Sequence, residues 1–461
     1  VSGRSDVLVL GGGPGGYAAA LYGAAAGRTV TLVEEARVGG TCLQRGCIPA
    51  KELLQTAEVL RTVRGAGAFG VGVDPPTIDL AVSVARKQQV VDRLTKGLEQ
   101  LLAGRSVTVV PGRGEVVDAA AHRVRVGDDT LEGDALILAT GSAPRALPGL
   151  PFDGVRVLSS DHVLDRTSIP ASAIIIGGGA IGCEFASFLA DVGSRVTVLE
   201  AMPGILPGVD PEAAAIVGRL FKRRKVTVHT GVTVEGGVVT DDGVEVTYSD
   251  GTGTAVVAAD VVVVSVGRAP RSAGIGLEGS GVVVDGRGYV EVDGRMRTAV
   301  HGVHAVGDLV ATPALAHVAF AEAIVAIKEI CGEEPDPIDY ARVPWGIYCH
   351  PEVAFCGPTE EAARAAGHDV VTSVHRFAGN SRAQIMGEAD GLVKIVANTD
   401  GVILGVHIVG PWATELLGPG YLAVNWEATV GDLAALIQPH PTLGELFGES
   451  VLALTGRALH G

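Results

Sequence analysis

A chain of 461 residues is too long for one ordinary domain and predicts roughly two to four. Its formal charge of −16 would repel a phosphate backbone, and an aromatic content of 4% argues against an aromatic-lined nucleic-acid or sugar binder. No apolar run approaches the roughly 20 residues of a membrane span, and the opening VSGRSDVLVLGGGPGG is read as leaving no room for a signal peptide. The expectation is a cytoplasmic protein that binds neither nucleic acid nor membrane.

Residues 6–35 read strand, turn, helix, strand in DVLVL, GGGPGG, YAAALYGAAAG and TVTLVEE. Gly11, Gly13 and Gly16 fit G-x-G-x-x-G, which needs glycine for a tight turn, for close approach of a pyrophosphate and for helix packing. The phosphates would sit at the helix N-terminus, and Glu34, 18 residues past Gly16, is placed to bond a ribose. A glycine turn alone is a weak signal; strand, helix and terminal carboxylate in register strengthen it.

Next comes GGTCLQRGCIP, residues 39–49, with Cys42 and Cys47 five apart. The six cysteines do not form a disulfide framework in a chain read as cytosolic, and no CxxC, HExxH or Cys/His cluster supplies partner ligands for a metal. On a regular helix residues five apart lie roughly 8–9 Å apart, beyond the reach of a disulfide. A redox pair therefore requires a distorted backbone, which Gly39, Gly40, Gly46 and Pro49 permit. Lys51, one turn beyond Cys47, would lower a thiolate pKa or sit beside a flavin, or is a plain solvated lysine.

LILATGSAPRALPG, 136–149, reads as a buried strand ending in a turn. The nucleotide pattern then repeats over 173–200, with Gly177, Gly179, Gly182 and a terminal Glu200. Ala201, Met202 and Pro203 follow Glu200 with no arginine, so NAD is preferred to NADP there. VHAVGDL, 303–309, is a strand ending in Gly307 and Asp308; this carboxylate suits a polyol, although by itself it reads as a helix N-cap. With the 136–149 strand it favours a flavin at the first site.

CGEEPDPIDYARVP reads as a linker, and GLVKIVANTDGVILGVHIVG as a hairpin about Asp400-Gly401. The organisation is thus α/β: two Rossmann-like dinucleotide-binding units, 1–146 with 269–340 and 147–268, and an α+β unit over 341–461. Pro419 in LLGPGYLA predicts a helix break around 418–420. In QPHPTLGELFGES, Pro439 and Pro441 bias His440 toward an extended backbone, while Thr442-x-x-Glu445 reads as a capping box. Taken alone, His440 reads as a surface histidine.

The two glycine motifs, GGTCLQRGCIPAK, ATGSAP, AVGD and the terminal His-Pro-Thr-x-x-Glu together resemble, in order and over the whole chain, the flavin-dependent pyridine nucleotide-disulfide oxidoreductases, and among these the lipoamide-oxidising branch. The resemblance implies that Cys42 is the interchange thiol and Cys47 the thiol facing FAD, with Lys51 near the flavin and paired to Glu184. It implies that His440 is a base supplied across a homodimer and oriented by Glu445. The FAD site it implies takes Gly11, Gly13, Pro14, Gly15, Gly16 and Glu34 from the first turn, and Gly40, Thr41 and Lys51 from the cysteine segment. Thr140, Gly141 and Ser142 would join them, with Gly307, Asp308, Ala316 and His317. The NAD site would use Gly177, Gly179, Ile181, Gly182, Glu200 and Gly267. No metal is implied.

The implied reaction is oxidation of dihydrolipoamide by NAD+, and the implied partners are lipoyl domains of 2-oxoacid dehydrogenase acyltransferases or the glycine-cleavage carrier. Rival readings are glutathione or mycothione reductases, which use NADPH; mercuric reductases, which carry extra C-terminal cysteines; and soluble transhydrogenases, which lack the redox pair. A non-catalytic flavoprotein scaffold is the rival of another class. Against the family pattern, Gln438 replaces a common histidine, Arg271 a common asparagine and Cys349 a common threonine. Cys183, Cys331 and Cys349 read as buried small side chains.

Overall fold

The computed structural model describes residues 4–460; residues 1–3 and 461, which the sequence reading assigns to the first and last units, lie outside the described residues. Short runs of Val, Ile and Leu buried on both faces favour a parallel sheet. Accordingly Arg4–Leu10 lies between Val30–Glu34 and Asp129–Leu138, parallel to both. Thr108–Pro111 extends the sheet beyond Val30–Glu34, and Val303–Ala305 returns from far along the chain to pair with Asp129–Leu138, Val303 opposite Leu136.

A second parallel sheet has the order Thr227–Thr230, Arg195–Glu200, Ser172–Ile176, Val261–Val264, Val157–Leu158. Each sheet carries its glycine turn after the strand and before the helix, Pro14–Ala25 in the first and Ala180–Val192 in the second. The C-terminal sheet is antiparallel, in the order Trp345–Ile347, Glu352–Cys356, Ile403–Gly410, Leu392–Asn398, Val370–Arg376. Its central hairpin turns at Asp400-Gly401 as expected, with Gly401 at φ +87°. The mixed α/β architecture with a C-terminal α+β unit is the one expected.

Near Pro419 the outcome is milder than expected. One short helix, Ala413–Leu416, ends and another, Gly418–Asn425, begins, so the break falls at Leu417. Pro419 lies in the first turn of the new helix, where its missing N–H costs nothing. The residue opens a helix rather than breaking one.

The largest core is shared between units. Leu53 and Ala57 from the helix Cys47–Gly65 belong to the same buried cluster as Phe185 and Leu189 of the second unit and Val353 and Leu392 of the C-terminal sheet. Cys183 and Cys349 are buried in it as expected, whereas Cys331 is only half-buried, its sulfur 3.5 Å from Arg28 Nε. An ion cluster adds a second tie. Lys394 Nζ, its side chain 5% exposed, lies 3.1 Å from Asp210, 3.0 Å from Glu212 and 3.1 Å from Glu360. Asp210 is fully buried and caps the helix Pro211–Arg223. Lys394→Met would leave that carboxylate uncompensated and is expected to destabilise the protein by about 3–5 kcal/mol, read as an earlier unfolding transition in urea followed by circular dichroism.

Candidate active site

The two glycine turns have one construction. At the first, Gly11 has φ +104° and Gly16 is so tightly packed that a Cβ would lie 1.7 Å from the Gly11 carbonyl oxygen. Gly13 differs: a Cβ there would meet only Gly40 Cα, at 3.8 Å. At the second, Gly177 has φ +100°, a Cβ on Gly182 would lie 1.8 Å from the Gly177 oxygen, and one on Gly179 would meet nothing within 4 Å. The outer glycines are required by the protein itself and the middle one leaves a face open to a ligand. No side chain caps the helix that follows either turn, so its first N–H groups are free for an anion. The residues present therefore fit a dinucleotide at each turn.

The terminal carboxylates match as well. Glu34 accepts the Gly12 N–H at 2.6 Å and the Ala36 N–H at 2.8 Å; Glu200 accepts those of Gly178 at 2.5 Å and Met202 at 2.7 Å. Each holds its own glycine turn and retains lone pairs for ribose hydroxyls.

A single cleft of about 1290 Å³ runs between the two turns and is lined by Gly11, Gly13, Glu34, Gly177, Gly179 and Glu200 together with Cys42 and Cys47. Pro14, Gly15, Gly40, Thr41, Thr140, Gly141, Ser142, Ile181, Gly267, Gly307, Asp308 and Ala316 also line it. Gly16 and Gly182 lie beneath the surface, and His317 turns away, its exposed ring 2.8 Å from the Pro344 carbonyl oxygen.

The expected backbone distortion between the cysteines falls at Gly46. One helix, Gly40–Arg45, ends there and the next, Cys47–Gly65, begins, with Gly46 at φ −142° and ψ −111°. A Cβ on Gly46 would lie 2.8 Å from the Thr41 oxygen, so the break needs glycine. Both cysteines are half-buried, and in the reduced, dithiol form Cys42 would donate to the Cys47 sulfur. That donation, together with the Lys51 charge, outweighs burial and brings the Cys47 pKa down to about 7. For Cys42 the same bond, then burial, push the pKa strongly up.

Lys51 Nζ bonds both oxygens of Glu184, at 2.8 and 2.9 Å, the pair expected from the resemblance. Burial works against the lysine charge, but Glu184 and Cys47 prevail and its pKa is raised. Two residues here carry no sequence signal. Tyr348 donates its N–H to Glu184 at 2.9 Å and places its ring 4.7 Å from Lys51 Nζ, and Tyr17 is close enough to the sulfurs that burial and their charge push it up to about 12. Asp308 is not a helix N-cap. It accepts from Ser142 Oγ at 2.5 Å, and Arg268 donates to the same hydroxyl at 2.7 Å. Beneath this turn Glu322, fully buried, accepts the Gly307 N–H at 2.6 Å.

His440 lies elsewhere: 70% of its side chain is exposed and it does not line the cleft of its own chain. Its peptide bond to Pro441 is cis. His440 Nδ1 is 2.9 Å from Glu445 Oε1, and the other Glu445 oxygen accepts the Thr442 N–H at 2.8 Å. The expected capping box does not form: the helix begins at Glu445 with Gly444 as its N-cap, and Thr442 Oγ1 donates to the Pro439 oxygen, although Glu445 still accepts the Thr442 N–H. Leu436 and Ile437 nearby are 57% and 96% exposed.

The two nucleotide turns, the cysteine pair between them and a separate C-terminal sheet match one family. Residues 5–323 match the pyridine nucleotide-disulphide oxidoreductases and residues 343–451 their dimerisation domain. The chain belongs to this family, and it is a homodimeric oxidoreductase whose cofactors are FAD and NAD. The dihydrolipoyl dehydrogenase of Bacillus subtilis strain 168 is 39% identical over 99% of both chains, and that of Thermus scotoductus is 41% identical over 99% of this chain and 98% of that one. Among solved structures, LpdA from Mycobacterium tuberculosis aligns with a TM-score of 0.91 at 29% identity, covering 98% of this chain and 100% of that one. The Cu(II) complex of RclA, an HOCl-induced flavoprotein disulfide reductase from Escherichia coli, gives 0.88 at 26% identity over 98% and 100%. Among the described residues no helix is long and apolar enough to cross a membrane and no His/Cys/Asp/Glu group is arranged for a metal.

Two outcomes follow from this geometry. Gly13→Ala should keep the far-ultraviolet circular dichroism of the parent yet lose FAD, whereas Gly16→Ala should fail to fold stably. In the reduced protein one thiolate should form with a midpoint about pH 7 and the second only far above it, followed by ultraviolet thiolate absorbance; Cys42→Ala, which deletes the donor, should move the first midpoint upward.

Proposed function

We propose that the protein oxidises protein-bound dihydrolipoamide to lipoamide with NAD+ as acceptor. The observation that carries this reading is the Cys42–Cys47 pair held by the Gly46 break inside a cleft that also contains both glycine turns. Full-length similarity to dihydrolipoyl dehydrogenases supports the substrate, and the absence of arginine in the three residues after Glu200 supports NAD+.

In the oxidised enzyme Cys42 and Cys47 form a disulfide. His440 of one subunit takes a proton from one substrate thiol, and the thiolate attacks the Cys42 sulfur of the other subunit, releasing Cys47 as thiolate. The second substrate thiol attacks the substrate sulfur of the mixed disulfide while its proton passes to Cys42, which leaves as thiol; the lipoyl ring closes, and the first proton leaves His440 for solvent. The substrate dithiol is oxidised by two electrons and the protein disulfide reduced by two. Lys51 and Cys42 favour the thiolate at Cys47, the sulfur facing the flavin, and Glu445 keeps Nδ1 of His440 occupied so that Nε2 takes the proton. FAD, when bound, supplies the two-electron chemistry that returns the cysteines to disulfide, with NAD+ as the final acceptor.

Residues 1–146 with 269–340 are assigned to FAD, 147–268 to NAD and 341–461 to the dimer interface. The acidic net charge favours basic docking segments on the lipoyl-bearing partners. Assay with NAD+ and dihydrolipoamide, in parallel with NADPH and glutathione disulfide, tests the reading. NADH should form in the first reaction; turnover in the second alone would overturn it. Cys42→Ser and Cys47→Ser should each abolish the first reaction. His440→Gln should lower its turnover by about 10²–10⁴.

A further inference from the structure

The segment after Arg268–Pro270 runs as a strap along the C-terminal edge of the first sheet. Arg271 is stitched to the end of Asp129–Leu138 on both sides of its backbone: its N–H donates to the Gly141 oxygen at 2.8 Å and its carbonyl accepts from Thr140 Oγ1 at 2.8 Å. At the far edge, beyond Thr108–Pro111, Arg113 donates to the Gly274 oxygen at 3.0 Å. Between these ties the Arg271 side chain reaches Glu35, Nη1 to Oε1 2.9 Å.

The sheet order fixes what lies beneath. Arg4–Leu10 separates the strand that anchors Arg271 from Val30–Glu34, which ends beside Glu35. Two strand spacings amount to about 9–10 Å, a gap that an arginine and a glutamate meeting end to end can bridge. The turn Gly11–Gly13 emerges from the middle strand, and Arg271 and Glu35 both line the cleft at that point. Glu34, the ribose-facing carboxylate, is the neighbour of Glu35.

We propose that the Arg271–Glu35 ion pair is a clasp across the adenosine end of the FAD site that sets how fast the flavin leaves. The inference rests on the assignment of FAD to the first glycine turn. The backbone ties of the strap are permanent parts of the fold, whereas the ion pair, with side chains 40% and 47% exposed, can open without unfolding anything.

FAD release from the homodimeric holoenzyme is followed by the rise in free-flavin fluorescence after dilution, at low salt and at 1 M salt, which weakens exposed ion pairs. Arg271→Gln and Glu35→Gln should each release flavin about two- to fivefold faster than the parent at low salt and lose the acceleration that salt produces in the parent. The double exchange R271E/E35R should slow release again relative to R271E alone. Parent-like release from both single variants, or no recovery in the exchange, overturns the clasp. Gly13→Ala separates the two levels: if it loses FAD while the clasp variants behave as the parent, only the clasp fails, and if it retains FAD at parental affinity, the site assignment and the clasp both fail.

Discussion

The Lys51–Glu184 pair joins what the chain keeps apart. Lys51 lies on the helix that begins at Cys47, and Glu184 on the helix that follows the second glycine turn; their bidentate contact holds the cysteine pair in register with both nucleotide sites. Glu184 has no spare capacity for wandering, since Tyr348 from the edge of the C-terminal sheet donates to one of the same oxygens. Three units thus converge on one carboxylate. A half-buried pair of this kind is poor evidence of net stability, but removing Lys51 would leave the more deeply buried Glu184 charge uncompensated, which makes the geometry hard to alter.

The chemistry of the sulfurs depends on that arrangement and on Gly46. Two residues five apart on an uninterrupted helix cannot share a hydrogen bond through short side chains. The break allows it, and the shared bond then divides the thiols into unequal partners, one easily ionised and one not. Lys51 reinforces the inequality because its charge is itself retained by Glu184. In the reduced pair the thiolate is thereby favoured at Cys47 and the thiol at Cys42.

How much of this was legible depended on the range of the interaction. The glycine turns, their terminal carboxylates and the Asp400-Gly401 hairpin are written in local sequence, because backbone conformation and strand alternation are local matters. The kink between the cysteines follows from helix geometry once the two are taken as a redox pair. Pro419 differs from expectation because the residue type that ends one helix is favourable in the first turn of another. Thr442 is not the cap its spacing suggests, because the helix starts three residues later and its hydroxyl turns to Pro439. Lys51 with Glu184 emerged through family resemblance rather than spacing; Tyr348 and the carboxylates around Lys394 gave no sign, and Arg271 stood out only as a departure from the family pattern, without its contact to Glu35. They join residues far apart in the chain, and a single sequence holds no record of such meetings.

Glu445 has two duties with one side chain: one oxygen fixes the His440 ring and the other secures the chain entering the last helix through the Thr442 N–H. Substitution at this position therefore cannot change the setting of the His440 ring without also disturbing the entry to the C-terminal helix, as it can where the two contacts reside in different residues. An evolutionary path that replaces this carboxylate has to rebuild the entrance to that helix at the same time.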